Sequence, residues 1–128
     1  MIKQTLALAL SASLLVSGTM ASAQSLSGPH KYATQSAERW LRLVPQSKKG
    51  LIETLSGPYG EGYSVEVATQ VVNNLDVQWH HQAALSAERW LRLVPHSCQG
   101  LIETLSGPYG EGFTKEEATY GAHQTDAC

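Results

Sequence analysis

The side chains best able to do chemistry in this 128-residue sequence are few. His80, His81, His96, Cys98, His123 and Cys128 carry metal-ligand atoms. A zinc site needs closely paired cysteines or histidines, so that four ligands converge on one ion. No such pairing is present, and among the histidines only His80 has a counterpart 50 residues away, His30. They read as surface histidines near helix ends, and no metal is expected. Pro45-x-Ser47-x-x-Gly50 is not a nucleophile elbow, which needs a serine between two glycines on a strand-to-helix turn. Glu53 and Glu103 recur, but a carboxylate in mid-helix usually faces water. Gly57-Pro58-Tyr59-Gly60-Glu61-Gly62 lacks the spacing of a phosphate loop, and no strand precedes it. Neither an enzyme nor a cofactor is expected. What remains is contact chemistry. Tyr59 and Tyr109 lie in Gly- and Pro-rich loops, beside Pro58, Glu61, Pro108 and Glu111. Aromatics exposed on loops are typical protein-contact residues. These six form two equivalent candidate patches for a protein partner. The alternative is that each tyrosine folds back over its own loop.

The loops are equivalent because the sequence repeats. Ser36 to Gln70 aligns with Ser86 to Tyr120 at an offset of 50, and 27 of the 35 pairs are identical. The chain divides into a signal (1–23), a short tail (24–28) and two units, 29–78 and 79–128. Repeats of this period are usually supersecondary units stacked on one another. One unit alone buries little apolar surface, so the two are expected to share a small core.

Each unit reads as three helices. Ala37, Trp40, Leu41 and Val44 recur at helical spacing and form one apolar face, with Trp40 and Trp90 as core residues. Pro45 ends that helix, because the residue before a proline is pushed out of the helical region. Ser47 and Ser97 stand as N-caps of the second helices, where a hydroxyl accepts from an orphan backbone N–H. Ser64 and Thr114 cap the third helices, and Thr114 with Glu117 spells a capping box. Val65, Ala68, Val72 and Leu75 are expected inward. Asp76 is placed to cap the next helix, running from about Val77 to Leu93. Strand signals are nearly absent, so the fold class is all-α, with two tandem three-helix repeats of helix-turn-helix-like order.

Composition narrows the partner. The net charge is −2, with 9 basic against 11 acidic residues. Nucleic-acid affinity comes mainly from Lys and Arg, so an acidic chain is a poor binder of phosphates. The second helix of unit one has only Lys48 and Lys49, and unit two replaces them with Cys98 and Gln99. No nucleic acid is expected as partner. With 42% hydrophobic and 16% charged residues, the chain is expected to fold. Lys3, the apolar run Leu6 to Val16 and Ala21-Ser22-Ala23 read as a secretory signal cleaved between Ala23 and Gln24. The run is short of the roughly 20 residues a membrane helix needs. The first cysteine is Cys98, far from the cleavage point, so no lipid anchor is expected and the mature protein is expected to be secreted. Two cysteines in an exported chain suggest one disulfide, Cys98–Cys128. An intermolecular bond or free thiols are the alternatives.

The order W-L-x-L-V-P-x-S-x-x-G-L-I-E-x-L, then G-[YF]-[ST]-x-x-x-A-T, then D-x-x-W, resembles the Ltp-like host cell surface-exposed protein family. The positions carrying it are Ser47, Gly50, Leu51, Ile52, Leu55, Gly62, Tyr63 and Ala68, then Trp79 and Ala83. In the second copy they are Ser97, Gly100, Leu101, Ile102, Leu105, Gly112, Phe113 and Ala118. The ending Ala118 to Gln124 is similar to that of many actinobacterial members. The resemblance implies one or two helix-turn-helix-like repeats behind an export signal. It also implies a role like that of the phage-encoded members, which are superinfection-exclusion proteins. Those act outside the cytoplasmic membrane and block DNA entry by contacting the injection machinery of a second phage. The partner implied is a phage tail or injection component. A host envelope component, with no phage role, is the alternative.

Overall fold

A computed structural model describes residues 27–128. The expected signal and the first residues of the tail lie outside the described residues. Six helices follow one another: α1 (Gly28–Leu43), α2 (Lys48–Ser56), α3 (Val65–Asn74), α4 (Trp79–Leu93), α5 (Cys98–Ser106) and α6 (Lys115–His123). Among the described residues there is no strand, and the chain is all-α. No helix among them is long and apolar enough to cross a membrane.

Local chemistry sets the boundaries. Val44 and Val94, each just before a proline, are extended and close α1 and α4. Ser47 Oγ accepts from Gly50 N at 2.9 Å, and Ser97 Oγ from Gly100 N at 3.0 Å. Ser64 Oγ accepts from Val67 N, and Thr114 and Glu117 form a reciprocal capping box. Three local expectations are corrected. α4 begins at Trp79 rather than Val77, and Gln78 rather than Asp76 stands at its cap, without a side-chain bond. α1 begins at Gly28, inside the expected tail, with Pro29 in its first turn, where a missing N–H costs nothing. Val65 points outward and Val71 inward, because Val65 occupies the first helical position, ahead of the turn that packs.

The expectation of one shared core is also corrected. The buried apolar residues form two clusters, one in each repeat. The first comprises Ala33, Ala37, Leu51, Leu55, Ala68, Val71 and Val72. The second comprises Ala83, Ala87, Leu101, Ile102, Leu105, Phe113, Ala118 and Ala122. Each set of three helices closes on its own apolar faces, and hydrogen bonds bridge the Val44–Gly50 edge of repeat 1 and repeat 2. Ser47 Oγ donates to the backbone carbonyl of Glu111, and Gln46 N donates to Gln82 Oε1 at 3.3 Å. Each small core gains a closing piece from outside its three helices. Trp79, the first residue of α4, packs on the first core. Ala127 packs on the second, where the Cys98–Cys128 disulfide, with Cα atoms 4.8 Å apart, ties down the end of the chain.

The repeats differ in how their long helices meet. Near the start of α1, His30 Nε2 and Gln70 Oε1 of α3 are hydrogen-bonded at 2.6 Å. The counterparts His80 and Tyr120 instead stack edge to face, with ring centroids 5.3 Å apart. One turn along, Gly121 of α6 lies against the backbone of Ala83 and Ala84 in α4. Its counterpart in α3 is Val71.

Candidate functional site

The Ser56–Gly62 and Ser106–Gly112 loops are built alike from backbone hydrogen bonds. Gly60 N donates to Gly57 O at 2.8 Å, closing a four-residue turn with Pro58 and Tyr59 at its corners. Glu61 N then donates to Thr54 O, and Tyr63 N to Leu55 O. Gly110, Glu111 and Phe113 make the same three bonds in repeat 2. Proline at the first corner presets the backbone for such a turn. Gly62 and Gly112 follow with φ of +80° and +84°, a region L side chains rarely enter. The corner of a tight turn points away from the helix it is anchored to. Tyr59 and Tyr109 are accordingly fully exposed, at 102% each. Of the two placements open to the tyrosines, the structure has the exposed one.

The glutamates face the other way. Trp40 Nε1 donates to Glu61 Oε1 at 2.9 Å, and Trp90 Nε1 donates to Glu111 Oε1 at 2.9 Å. Ser86 Oγ, fully buried in α4, donates to Glu111 Oε2. Both oxygens of Glu111 are therefore engaged inside its own repeat, and its carboxylate pins the loop to α4. Trp40 and Trp90 are only partly buried: one side packs on a core, and the indole edge holds a loop. Of the six candidate contact residues, Pro58, Tyr59, Pro108 and Tyr109 point to solvent, and Glu61 and Glu111 serve as anchors.

Tryptophan and loop together enclose a cleft in each repeat. In repeat 2 it has a volume of about 420 Å³ and runs between Trp90, Glu103, Thr104 and the Gly107–Glu111 turn. In repeat 1 the counterparts Trp40, Glu53, Thr54 and Gly57–Glu61 line the same cleft, enlarged to about 860 Å³. The extra wall comes from the junction: Val44, Pro45 and Gln46 on one side, Arg89, Gly110 and Glu111 on the other. Ser86, Gln82 and Arg89 escape sequence reasoning. The one available signal is that Ser86 and Arg89 recur as Ser36 and Arg39.

Removing Glu111 tests the anchoring. Glu111→Ala leaves the Ser86 hydroxyl and the Trp90 indole without their acceptor, at a cost of about 1–3 kcal/mol. Glu61→Ala, at an exposed carboxylate, is expected to cost less. Guanidinium unfolding of the two variants should rank them in that order; equal midpoints would show that the Ser86 bond adds nothing.

Cys98, His123 and Cys128 also come together, with ligand atoms within 4.8 Å of one another. Both sulfurs are joined in the disulfide, so neither is the thiolate a metal requires. The Nδ1 of His123 is hydrogen-bonded to the Thr119 carbonyl at 2.8 Å.

Two small helical units in tandem, each holding out a tyrosine on a rigid turn beside a tryptophan-walled cleft, define the class: a tandem helical-repeat protein. The family is shown by both repeats. Residues 30–75 and 78–124 match the model of the host cell surface-exposed lipoproteins, and the chain belongs to that family. The family's description supports an extracytoplasmic location. Among solved structures, the fold is similar to that of Ltp, a superinfection exclusion protein from the Streptococcus thermophilus temperate phage TP-J34. The TM-score is 0.71 at 22% identity, over 79% of this chain and 99% of that one. No curated protein sequence matches the chain.

Proposed function

We propose that this protein acts outside the cytoplasmic membrane as an exported superinfection-exclusion module, holding a protein of the incoming phage's injection apparatus through its two tyrosine turns. The observation that carries this reading is the pair of fully exposed tyrosines, each on a hydrogen-bonded turn beside a tryptophan cleft. Two rigid aromatics make good anchors because little side-chain entropy is lost when they are buried by a partner. Two linked sites gain further from effective concentration against a repetitive partner. The structural likeness to a superinfection exclusion protein supports the exclusion role.

The test is phage plating on a host expressing the gene, with and without residues 1–23, together with Tyr59→Ala/Tyr109→Ala. The wild type is expected to reduce plaques only when exported, with adsorption unchanged. The double variant is expected to plate phage about tenfold better than the wild type, as for the loss of two interface anchors, with an unchanged melting temperature because both side chains are exposed. Exclusion retained by the double variant would remove the tyrosines from the site.

The family's description as host surface-exposed favours one second reading, an envelope module that binds a host surface component. Confirmed export with normal plating across a broad phage panel would place that reading first.

A further inference from the structure

The junction between the repeats joins two unlike surfaces. Repeat 1 contributes its edge from Val44 to Gly50. Repeat 2 contributes the Gly110–Gly112 loop, with Gln82 and Arg89 beside it. Besides the Ser47 and Gln46 bonds, the stem of Lys49 covers Gly112: a Cβ built there would lie 3.2 Å from Lys49 Cδ. A contact between unlike surfaces is heterologous, and it leaves one copy of each surface unused. Near-identity of the repeats means that the unused copies carry almost the same residues. Repeat 2 has a free edge from Val94 to Gly100, and repeat 1 has a free loop, Gly60–Gly62.

Burial separates the used surfaces from the free ones. Ser47 is 1% exposed whereas Ser97 is exposed. Pro45 is half-buried and Pro95 exposed, and Val94 is 50% exposed. Gly112 is half-buried and Gly62 exposed. A Cβ on Gly50 would approach the Glu111 carbonyl across the junction, whereas one on Gly100 would meet only Ser97 of its own turn.

We propose that a second copy of this chain docks head to tail, with its Gly60–Gly62 loop seated on the Val94–Gly100 edge of the first. Ser97 Oγ then donates to the Glu61 carbonyl of that copy, as Ser47 does to Glu111 within the chain. Arg39 of the added copy takes the place of Arg89, and the Trp90 cleft is enlarged as the Trp40 cleft already is. The incoming loop, Gly60-Glu61-Gly62, is identical to Gly110-Glu111-Gly112. The receiving edge has His96 and Gln99 where the internal one has Gln46 and Lys49, and Tyr32 stands where Gln82 does. The contact is small, so it is weak between free copies and strengthens where copies are crowded on a surface. Because neither surface is consumed by its twin, addition can continue beyond two.

The test is a series of amide NMR spectra of the full chain, from dilute protein up to about 2 mM, the range of effective concentration a short linker supplies. Concentration-dependent shifts are expected in two patches, 94–100 and 60–62, moving together. Ser97→Asp is the decisive variant: aspartate still caps α5, but it cannot donate and sets a carboxylate against the incoming carbonyl. It is expected to abolish both sets of shifts with the core resonances unmoved. No concentration dependence, shifts on other faces, or shifts that survive Ser97→Asp would overturn the proposal.

Discussion

Replacing Cys98 and Cys128 together by alanine is expected to lower the stability of repeat 2 by about 3–4 kcal/mol, the loop-closure value for a bond spanning 30 residues. For a core built on three leucine or isoleucine side chains and one phenylalanine, that is a large fraction of what holds it. The bond encloses α5, the Ser106–Gly112 loop and α6, so the whole far side of repeat 2 depends on it. Repeat 1 contains no cysteine and has its own core. Guanidinium unfolding followed by tryptophan fluorescence should therefore become biphasic in the alanine pair. The part reported by Trp90 should move to lower denaturant, and the part reported by Trp40 and Trp79 should stay. A single transition moving as a unit would show that Trp79 and the junction hydrogen bonds couple the repeats more strongly than two separate cores indicate.

Gly121→Ala pits two physical effects against each other. Helix propensity favours alanine by about 1 kcal/mol at a helix interior. Sterics oppose it: a Cβ on Gly121 would lie 2.6 Å from the carbonyl carbon of Ala83 and 2.7 Å from its oxygen. Those atoms belong to the α4 backbone, so no side chain can swing aside, and α4 and α6 must separate. The expected net result is a loss of about 2 kcal/mol or more, in line with overpacked cores. Thermal melting of the variant checks the sign. A higher melting temperature would mean that the two helices can part at little cost.

The fold class was legible because its signals are local. Prolines at 45 and 95, hydroxyls at 47, 64, 97 and 114, and apolar residues at helical spacing each mark an element without reference to the rest of the chain. The repeat itself is plain from identity. The misread features are those set by what packs against what. Val65 fits the helical stripe, yet it comes before the turn that has a partner. The number of cores depends on which faces close first, and polar Ser47 and Gln46 at the junction look like any cap and its neighbour. At the candidate site, tyrosines on a Gly- and Pro-rich turn could be placed but not oriented. Glu61 and Glu111 beside them read as contact residues of the same patches. Their inward turn depends on an indole 21 residues away in the chain, and on the buried Ser86 in repeat 2.

Two cores in series, only one of them cross-linked, give the chain unequal reach under tension. Pulled from its ends, repeat 1 can unravel through all 50 residues of 29–78, to a fully extended length of about 170 Å at roughly 3.4 Å per residue. Repeat 2 cannot do the same, because the 30-residue span closed by Cys98 and Cys128 carries the load through its sulfur–sulfur bond. Its slack is limited to the segment before Cys98, about 20 residues or roughly 70 Å. Under load the first repeat can therefore release more than twice as much chain as the second.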